Sequence, residues 1–167
     1  HLRMPTGAGT LTTGGSNGNL MGVLCARQAA IPASGHDGFD WRSWCMFVSN
    51  EAHYSVAMAA NVLGLGRANL IKVDTDGHGR MDPSALDHAI RREANLGRRP
   101  LCVVATSGTT VRGAFDSIDG IADVCETHGV WLHVDAAWGG SCLFSTTHRH
   151  LMDGVERADS GAGMRTK

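Results

Sequence analysis

The sequence predicts an α/β fold in three layers (α/β/α), with a mainly parallel sheet covered by helices on both faces. Short, nearly continuous apolar runs alternate with amphipathic stretches of helical length, which is typical of crossover units. The apolar runs lack the polar alternation of a half-exposed strand, which indicates strands buried on both faces. A chain of 167 residues is long enough for one such core and too short for two ordinary domains.

Four apolar runs are predicted to be the strands of this sheet. Each is short, and each is bounded by polar or glycine-containing segments. They are residues 44–49, 70–74, 101–106 and 130–135.

Two helices are predicted in the first half of the chain. Ser16 is expected to cap the first, which would carry Leu20, Val23 and Leu24 on one face. The second is expected over residues 50–63, ending near Gly64.

Two further helices have clearer boundaries. Asp82 followed by Pro83 is a favourable helix start, and Gly97 marks the region where this helix ends. Ser117 is expected to cap the last helix and Gly129 to stop it.

Composition excludes several classes of protein. The formal net charge of −1 offers no basic block for nucleic acid, and no apolar run reaches the roughly 20 residues of a membrane span. The five cysteines include no Cys-x-x-Cys pair, so we expect no zinc ribbon and a reducing, cytoplasmic setting. His148 and His150 have ligand-like spacing but no obvious third partner, and we therefore expect no metal site.

In a parallel sheet, ligands bind beyond the carboxyl ends of the strands. This rule selects His53, residues 106–110 and residues 135–138, each of which follows a predicted strand. A histidine there could stack on a ring and exchange a proton near neutral pH, although a single histidine is more often structural. The hydroxyl of Thr106 could bind a ring substituent, although forming a turn is the usual role of such a segment.

The Gly- and Ser-rich segment 12–19 lies at the start of the first predicted helix. Free backbone N–H groups and the positive end of a helix dipole favour an anion such as phosphate there. The segment lacks the Gly-Lys-Ser/Thr of a P-loop, so a simple helix cap is the alternative.

Asp135 lies at the end of the last predicted strand and is followed by two alanines. The small side chains of Ala136 and Ala137 leave space for a flat ring against the backbone. A carboxylate facing a ring nitrogen would keep that nitrogen protonated, because an opposite charge favours the charged form. Capping a turn is the alternative role for this carboxylate.

Five segments, in this order along the chain, resemble the group II pyridoxal-phosphate (PLP)-dependent amino acid decarboxylases, which include the glutamate, cysteine sulfinate, aspartate and aromatic amino acid decarboxylases. The resemblance runs from about residue 9 to residue 160 and implies PLP-dependent transferase fold type I, of which the chain would be part of the large domain. The segments are LTTGGS (11–16), SNEAH (49–53), TSGTT with GAFD (106–110 and 113–116), HVDAAWGG (133–140) and ADS (158–160).

The resemblance implies a role in PLP binding for six residues. Gly15 and Ser16 would hold the phosphate, His53 and Ala137 would lie on the two faces of the ring, Thr106 would lie near the ring hydroxyl, and Asp135 would pair with the ring nitrogen.

The resemblance also concerns Lys167, which falls in the register of the family lysine that holds PLP covalently. The family has Asn-Pro-His before that lysine, whereas this chain has Met164, Arg165 and Thr166. Either the tail is foreign or altered sequence, which we favour, or Lys167 is the catalytic lysine in an unusual setting. We therefore divide the chain into a PLP-binding part, 1–160, and a departing tail, 161–167.

The implied function of the intact protein is the α-decarboxylation of an amino acid, with His53 and Lys167 as catalytic residues. The family acts as a homodimer, and its members are longer, so we expect this chain to be an inactive fragment on its own. The segments around Ser16 and His53 favour the glutamate and cysteine sulfinate branch. The alternatives are another fold-type-I enzyme, such as an aminotransferase or a carbon–sulfur lyase, and a truncated, non-catalytic chain.

Overall fold

The computed structural model describes residues 8–163 and contains one five-stranded sheet in which all paired strands are parallel. The strand order is β2-β1-β3-β4-β5. This arrangement confirms the predicted parallel sheet. The strands are β1 (Trp44–Ser49), β2 (Leu70–Val73), β3 (Arg99–Thr106), β4 (Trp131–Ala136) and β5 (Ser160–Gly163).

Five α-helices accompany the sheet in the described part of the chain. Short 3₁₀ turns lie before β1 and β2, and three more fill the connection from β4 to β5. The helices are α1 (Gly15–Ala30), α2 (Ser34–Asp37), α3 (Tyr54–Val62), α4 (Pro83–Asn95) and α5 (Ile118–His128).

The core is divided into two layers by the sheet. Phe47 of β1 packs with the apolar faces of α4 and α5, whereas its neighbours Met46 and Val48 pack with α1 and α3. Successive side chains of a strand point to opposite faces, so one apolar run supplies both layers. The three-layer prediction is confirmed.

Local signals set the ends of α4 and α5 as predicted. The Asp82 carboxylate accepts a hydrogen bond from the Ser84 amide at 2.8 Å, and Pro83 occupies the first turn of α4. Ser117 is the N-cap residue of α5, and Gly129 ends that helix in the left-handed conformation at φ 63°. Only glycine adopts this conformation without steric cost.

The starts of α1 and α3 differ from the predictions. Gly14 is the N-cap residue of α1, and Ser16 lies within its first turn. The second helix starts at Tyr54 rather than at residue 50, because Nδ1 of His53 accepts a hydrogen bond from the Ser55 amide at 3.3 Å and so caps α3. Strand β5 was not predicted, since Gly161 and Gly163 weaken its strand signal.

Between residues 8 and 163, no helix is both long enough and apolar enough to cross a membrane.

Candidate functional site

A pocket of about 200 Å³ lies at the carboxyl ends of β1, β3 and β4, beside the first turn of α1. All six residues expected to bind the cofactor line this pocket, so the structure brings them together in one place. Their individual roles in binding stay predictions. The lining residues are Gly15, Ser16, Asn19, His53, Ser55, Thr106, Gly108, Thr110, Asp135, Ala137 and Trp138.

The first turn of α1 approaches the end of β4 very closely. A Cβ atom on residue 15 would lie 2.6 Å from the Cβ of Ala137, which is closer than side-chain atoms can approach. Gly15 therefore allows the helix to reach the pocket. The first N–H groups of a helix have no partner within the helix, and together with the hydroxyl of Ser16 they offer donors to an anion.

Asp135 is 95% buried, and hydrogen bonds hold both of its carboxylate oxygens. Oδ1 accepts a hydrogen bond from the Ala137 amide at 3.1 Å, and Oδ2 accepts one from Nδ2 of Asn19 at 2.8 Å. A carboxylate has about four acceptor positions, so Asp135 can accept a further donor from the pocket.

His53 enters the pocket from the start of α3. Its Nδ1 lies 2.8 Å from the hydroxyl oxygen of Ser55, and its ring centroid lies 4.2 Å from that of Tyr54. The Ser55 hydroxyl in turn accepts a hydrogen bond from Nδ2 of Asn19 at 2.9 Å. The side chain of Asn19 thus connects Ser55, and through it His53, with Asp135.

His133 of β4 is completely buried, and its ring lies against Gly22 of α1. Its Nε2 lies 3.1 Å from Oδ1 of Asn19, and its Nδ1 lies 2.9 Å from the hydroxyl oxygen of Ser160. Burial lowers the pKa of His133 to about 4, against the opposing effect of the Asp135 charge. The imidazole is therefore neutral at physiological pH.

Thr106 is positioned by a second buried carboxylate, Asp116. The two oxygens of Asp116 accept hydrogen bonds from the amides of Thr106 and Met81, both at 2.7 Å. Burial raises the pKa of Asp116 to about 6, and the two amide hydrogen bonds oppose this shift. Within residues 8–163, the buried hydroxyl of Thr106 has no hydrogen-bond partner although it borders the pocket, so it is available to a ligand.

These groups fit a flat, phosphorylated cofactor with a ring nitrogen. A helix start suits the phosphate, a buried carboxylate suits the protonated nitrogen, and the free Thr106 hydroxyl suits a ring substituent. The residues that line this pocket therefore fit PLP.

The family model described as the pyridoxal-dependent decarboxylase conserved domain matches residues 1–163. The chain belongs to the pyridoxal-dependent decarboxylase family, and the family resemblance predicted from the sequence is confirmed.

Similar proteins in this family are named amino acid decarboxylases. The chain is 48% identical to cysteine sulfinic acid decarboxylase of Rattus norvegicus over 94% of this chain and 32% of that protein. It is 46% identical to an acidic amino acid decarboxylase of Bos taurus over 93% of this chain and 30% of that protein. The chain thus spans about a third of the length of these relatives.

Solved structures show the same fold. The crystal structure of mouse CSAD matches with a TM-score of 0.94 and 46% identity, covering 97% of this chain and 34% of that one. Tryptophan decarboxylase of Catharanthus roseus, in complex with L-tryptophan, matches with a TM-score of 0.86 and 28% identity, covering 96% and 36%. The prediction of PLP-dependent fold type I is confirmed.

Sequence reasoning selected the segments that contain Asn19, Thr110 and Trp138 but gave these residues no role of their own, and it gave none to Ser55, although all four line the pocket. Asn19 lies one helical turn after Gly15 on the same face of α1, and that spacing was the available signal. Lys167 and the three residues before it lie outside the described residues, so its assignment as the covalent anchor stays a prediction, as does the division of the chain at residue 160.

Proposed function

We propose that the intact protein catalyses PLP-dependent α-decarboxylation of an acidic amino acid, releasing an amine and carbon dioxide. The observation that carries the proposal is the buried carboxylate of Asp135, which is held by Asn19 and by the Ala137 amide at the edge of a pocket beside a helix start. The names of the relatives, cysteine sulfinic acid decarboxylase and acidic amino acid decarboxylase, support the acidic substrate.

PLP, when bound, supplies the electron sink that takes up the electrons of the broken bond to the carboxylate carbon. Asp135 keeps the ring nitrogen protonated, which the sink requires, because its negative charge favours the charged form. Two hydrogen bonds, one to each oxygen, hold the Asp135 carboxylate in one orientation. The first turn of α1, with Gly15 and Ser16, would bind the phosphate and hold the cofactor beside Asp135.

By the family resemblance, His53 would lie on one face of the PLP ring and Ala137 on the other, and the two side chains would exclude water from the ring. Nδ1 of His53 accepts the hydrogen bond of the Ser55 amide, and the neutral ring therefore carries its proton on Nε2. His53 thus holds a proton that can be donated to a neighbouring group in the pocket. Asp116 holds the backbone amide of Thr106, and the Thr106 hydroxyl would bind the ring hydroxyl.

The protein is further proposed to act as a cytoplasmic homodimer. Trp138 borders the pocket and yet is 65% exposed, while nearby Val111 is 87% exposed, as expected for a surface that a second subunit covers. All five cysteines are free, which suits a reducing compartment. Light scattering of the full-length protein and cell fractionation test these two statements, and a monomer or a secreted protein would contradict them.

The activity is tested with the full-length protein, supplied with PLP and one amino acid at a time. We expect carbon dioxide release from cysteine sulfinate, glutamate or aspartate, and much less from tryptophan. Keto-acid formation without carbon dioxide release would instead identify an aminotransferase. Asp135→Asn keeps the shape of the side chain but removes its charge, and we expect it to lower kcat by at least about 100-fold, a loss typical of removing a key electrostatic group.

A non-catalytic chain is the second candidate, and the sequence Met164-Arg165-Thr166 before Lys167 favours it. The visible absorption of PLP bound covalently to a lysine separates the two. If Lys167 is the anchor, the band appears in the unmodified protein and is lost in Lys167→Ala. A protein that never develops the band would support the non-catalytic candidate.

A further inference from the structure

Asn19 is 99% buried. Its side chain connects Asp135 and Ser55, which line the pocket, with His133. Its Nδ2 atom is 2.8 Å from Asp135 and 2.9 Å from the Ser55 hydroxyl, and its Oδ1 atom is 3.1 Å from Nε2 of His133. Every polar atom of the amide therefore has a partner, which is what a buried amide requires.

The proton positions in this hydrogen-bond network follow from the Asp135 carboxylate. An ionised carboxylate only accepts hydrogen bonds, so the nitrogen of Asn19 must face Asp135 and its oxygen must face His133. Oδ1 of Asn19 can only accept, so His133 carries its proton on Nε2. Nδ1 of His133 is then an acceptor, and the Ser160 hydroxyl donates to it.

The chain of donors continues in both directions. The indole N–H of Trp131 donates to the Ser160 oxygen at 2.9 Å, which leaves the Ser160 proton for His133. At the other end, the second N–H of Asn19 donates to Ser55, whose hydroxyl proton is then directed to Nδ1 of His53. All donors thus point from Trp131 towards the pocket.

We propose that Asn19 is a positioning residue that fixes the Asp135 carboxylate for the ring nitrogen of PLP. The proposal rests on the proposed function in so far as PLP is the ligand. The hydrogen bonds from Trp131 through Ser160 to His133 favour the same orientation of the Asn19 amide that Asp135 requires. His133 is kept neutral by its burial, so the direction of the chain persists at physiological pH.

The test measures PLP affinity and the ¹⁵N chemical shift of ring-labelled PLP in the full-length holoenzyme. In Asn19→Leu, Asp135 loses a charge-assisted hydrogen bond, and we expect PLP to dissociate about tenfold more readily or more. In Asn19→Asp, an oxygen replaces the donor opposite Asp135, and the two carboxylates would share a proton. We expect the ¹⁵N shift to move towards that of an unprotonated pyridine, with kcat lowered more than KM is raised.

Asn69→Leu is the matched control. Asn69 is a buried asparagine that donates to the Leu65 carbonyl at 2.8 Å and accepts from Arg98, and it lies outside the pocket. This variant should lose stability without changing the PLP dissociation constant or the ¹⁵N shift. Ser160→Ala, which removes the donor to His133, should produce a smaller change in the same direction as Asn19→Asp, and it serves if the Asn19 variants do not fold.

The proposal is overturned if Asn19→Leu and Asn19→Asp bind PLP as the unmodified protein does, or if Asn69→Leu weakens binding equally. Unchanged PLP binding and an unchanged ¹⁵N shift in Ser160→Ala would overturn it where the Asn19 variants fail to fold. The unmodified protein tests the proposed function separately: if it binds PLP and releases carbon dioxide, the function stands whatever the Asn19 variants do. An unmodified protein that does not bind PLP would overturn both.

Discussion

Gly22 of α1 lies directly against the imidazole ring of His133. A Cβ atom on residue 22 would lie 2.3 Å from two atoms of that ring, so only glycine allows the helix and the histidine to occupy these positions together. The absence of a side chain at residue 22 therefore makes the hydrogen bond between His133 and Asn19 possible.

Gly22→Ala is expected to destabilise the protein. Alanine favours a helix interior by about 1 kcal/mol over glycine, but overpacking against a buried ring costs typically about 1–3 kcal/mol. We expect a net loss and a lower urea midpoint. Gly35→Ala is the control, because a Cβ there would meet only Oε1 of Gln28, at 3.5 Å. Equal urea midpoints for Gly22→Ala and Gly35→Ala would contradict the close packing of Gly22 against His133.

His133 should make stability depend on pH in the acid range. Its pKa falls from the usual 6.5 to about 4 on folding, so the unfolded chain binds more protons between these values. Neutral His133 therefore contributes its full stabilisation above about pH 6.5. As the pH falls towards 4, the free energy of unfolding decreases by about 3 kcal/mol in all. Urea unfolding of the unmodified protein and of His133→Gln across this range measures the difference. A difference that does not change with pH would contradict a buried neutral histidine.

Asp116→Asn is expected to destabilise the turn that follows β3. Both oxygens of Asp116 accept hydrogen bonds from buried amides, and an asparagine would place its N–H₂ group opposite one of them. Leaving a buried donor unsatisfied costs about 1–3 kcal/mol. Thermal unfolding measures the loss, and we expect weaker PLP binding as well, because the amide of Thr106 is no longer held. Asp153→Asn, at an exposed position, is the control and should change neither quantity.

Glu93 should contribute more to stability than the surface ion pairs do. Its side chain is 4% exposed and binds Arg98, which is 22% exposed, at 2.8 Å. Glu93→Ala leaves Arg98 without its carboxylate partner. We expect the free energy of unfolding to decrease by about 3 kcal/mol, the lower end of the range for breaking a buried ion pair. Arg91→Ala, which breaks a pair with Asp87 at an exposed arginine, should cost less than about 1 kcal/mol. Equal losses would show that Arg98 finds enough other partners.

Features encoded by neighbouring residues could be predicted from the sequence. The span of β1, the Asp82–Pro83 start of α4 and the Gly129 stop of α5 depend on apolar runs, caps and backbone freedom, all of which are local. The rule that ligands bind beyond the carboxyl ends of parallel strands selected Asp135 and His53 as candidates, and the structure places both in the pocket.

Features that depend on distant contacts could not be predicted in this way. Asn19 and Ser55 gain their roles only because α1 and α3 pack side by side next to β4. Asp116 was part of a recognised motif, but its hydrogen bond to the Met81 amide joins residues 35 positions apart. Strand β5 has a weak local signal and is held by its pairing with β4.

The hydrogen bond from Asn19 to Asp135 closes a loop of 116 residues. Closing so long a loop costs chain entropy before the contact can stabilise the fold, so we expect the two sides of the pocket to meet late in folding. Refolding followed by PLP fluorescence should therefore lag behind the formation of helices seen by circular dichroism. The cofactor would then act as a probe of folding order, reporting when α1 and β4 have come together.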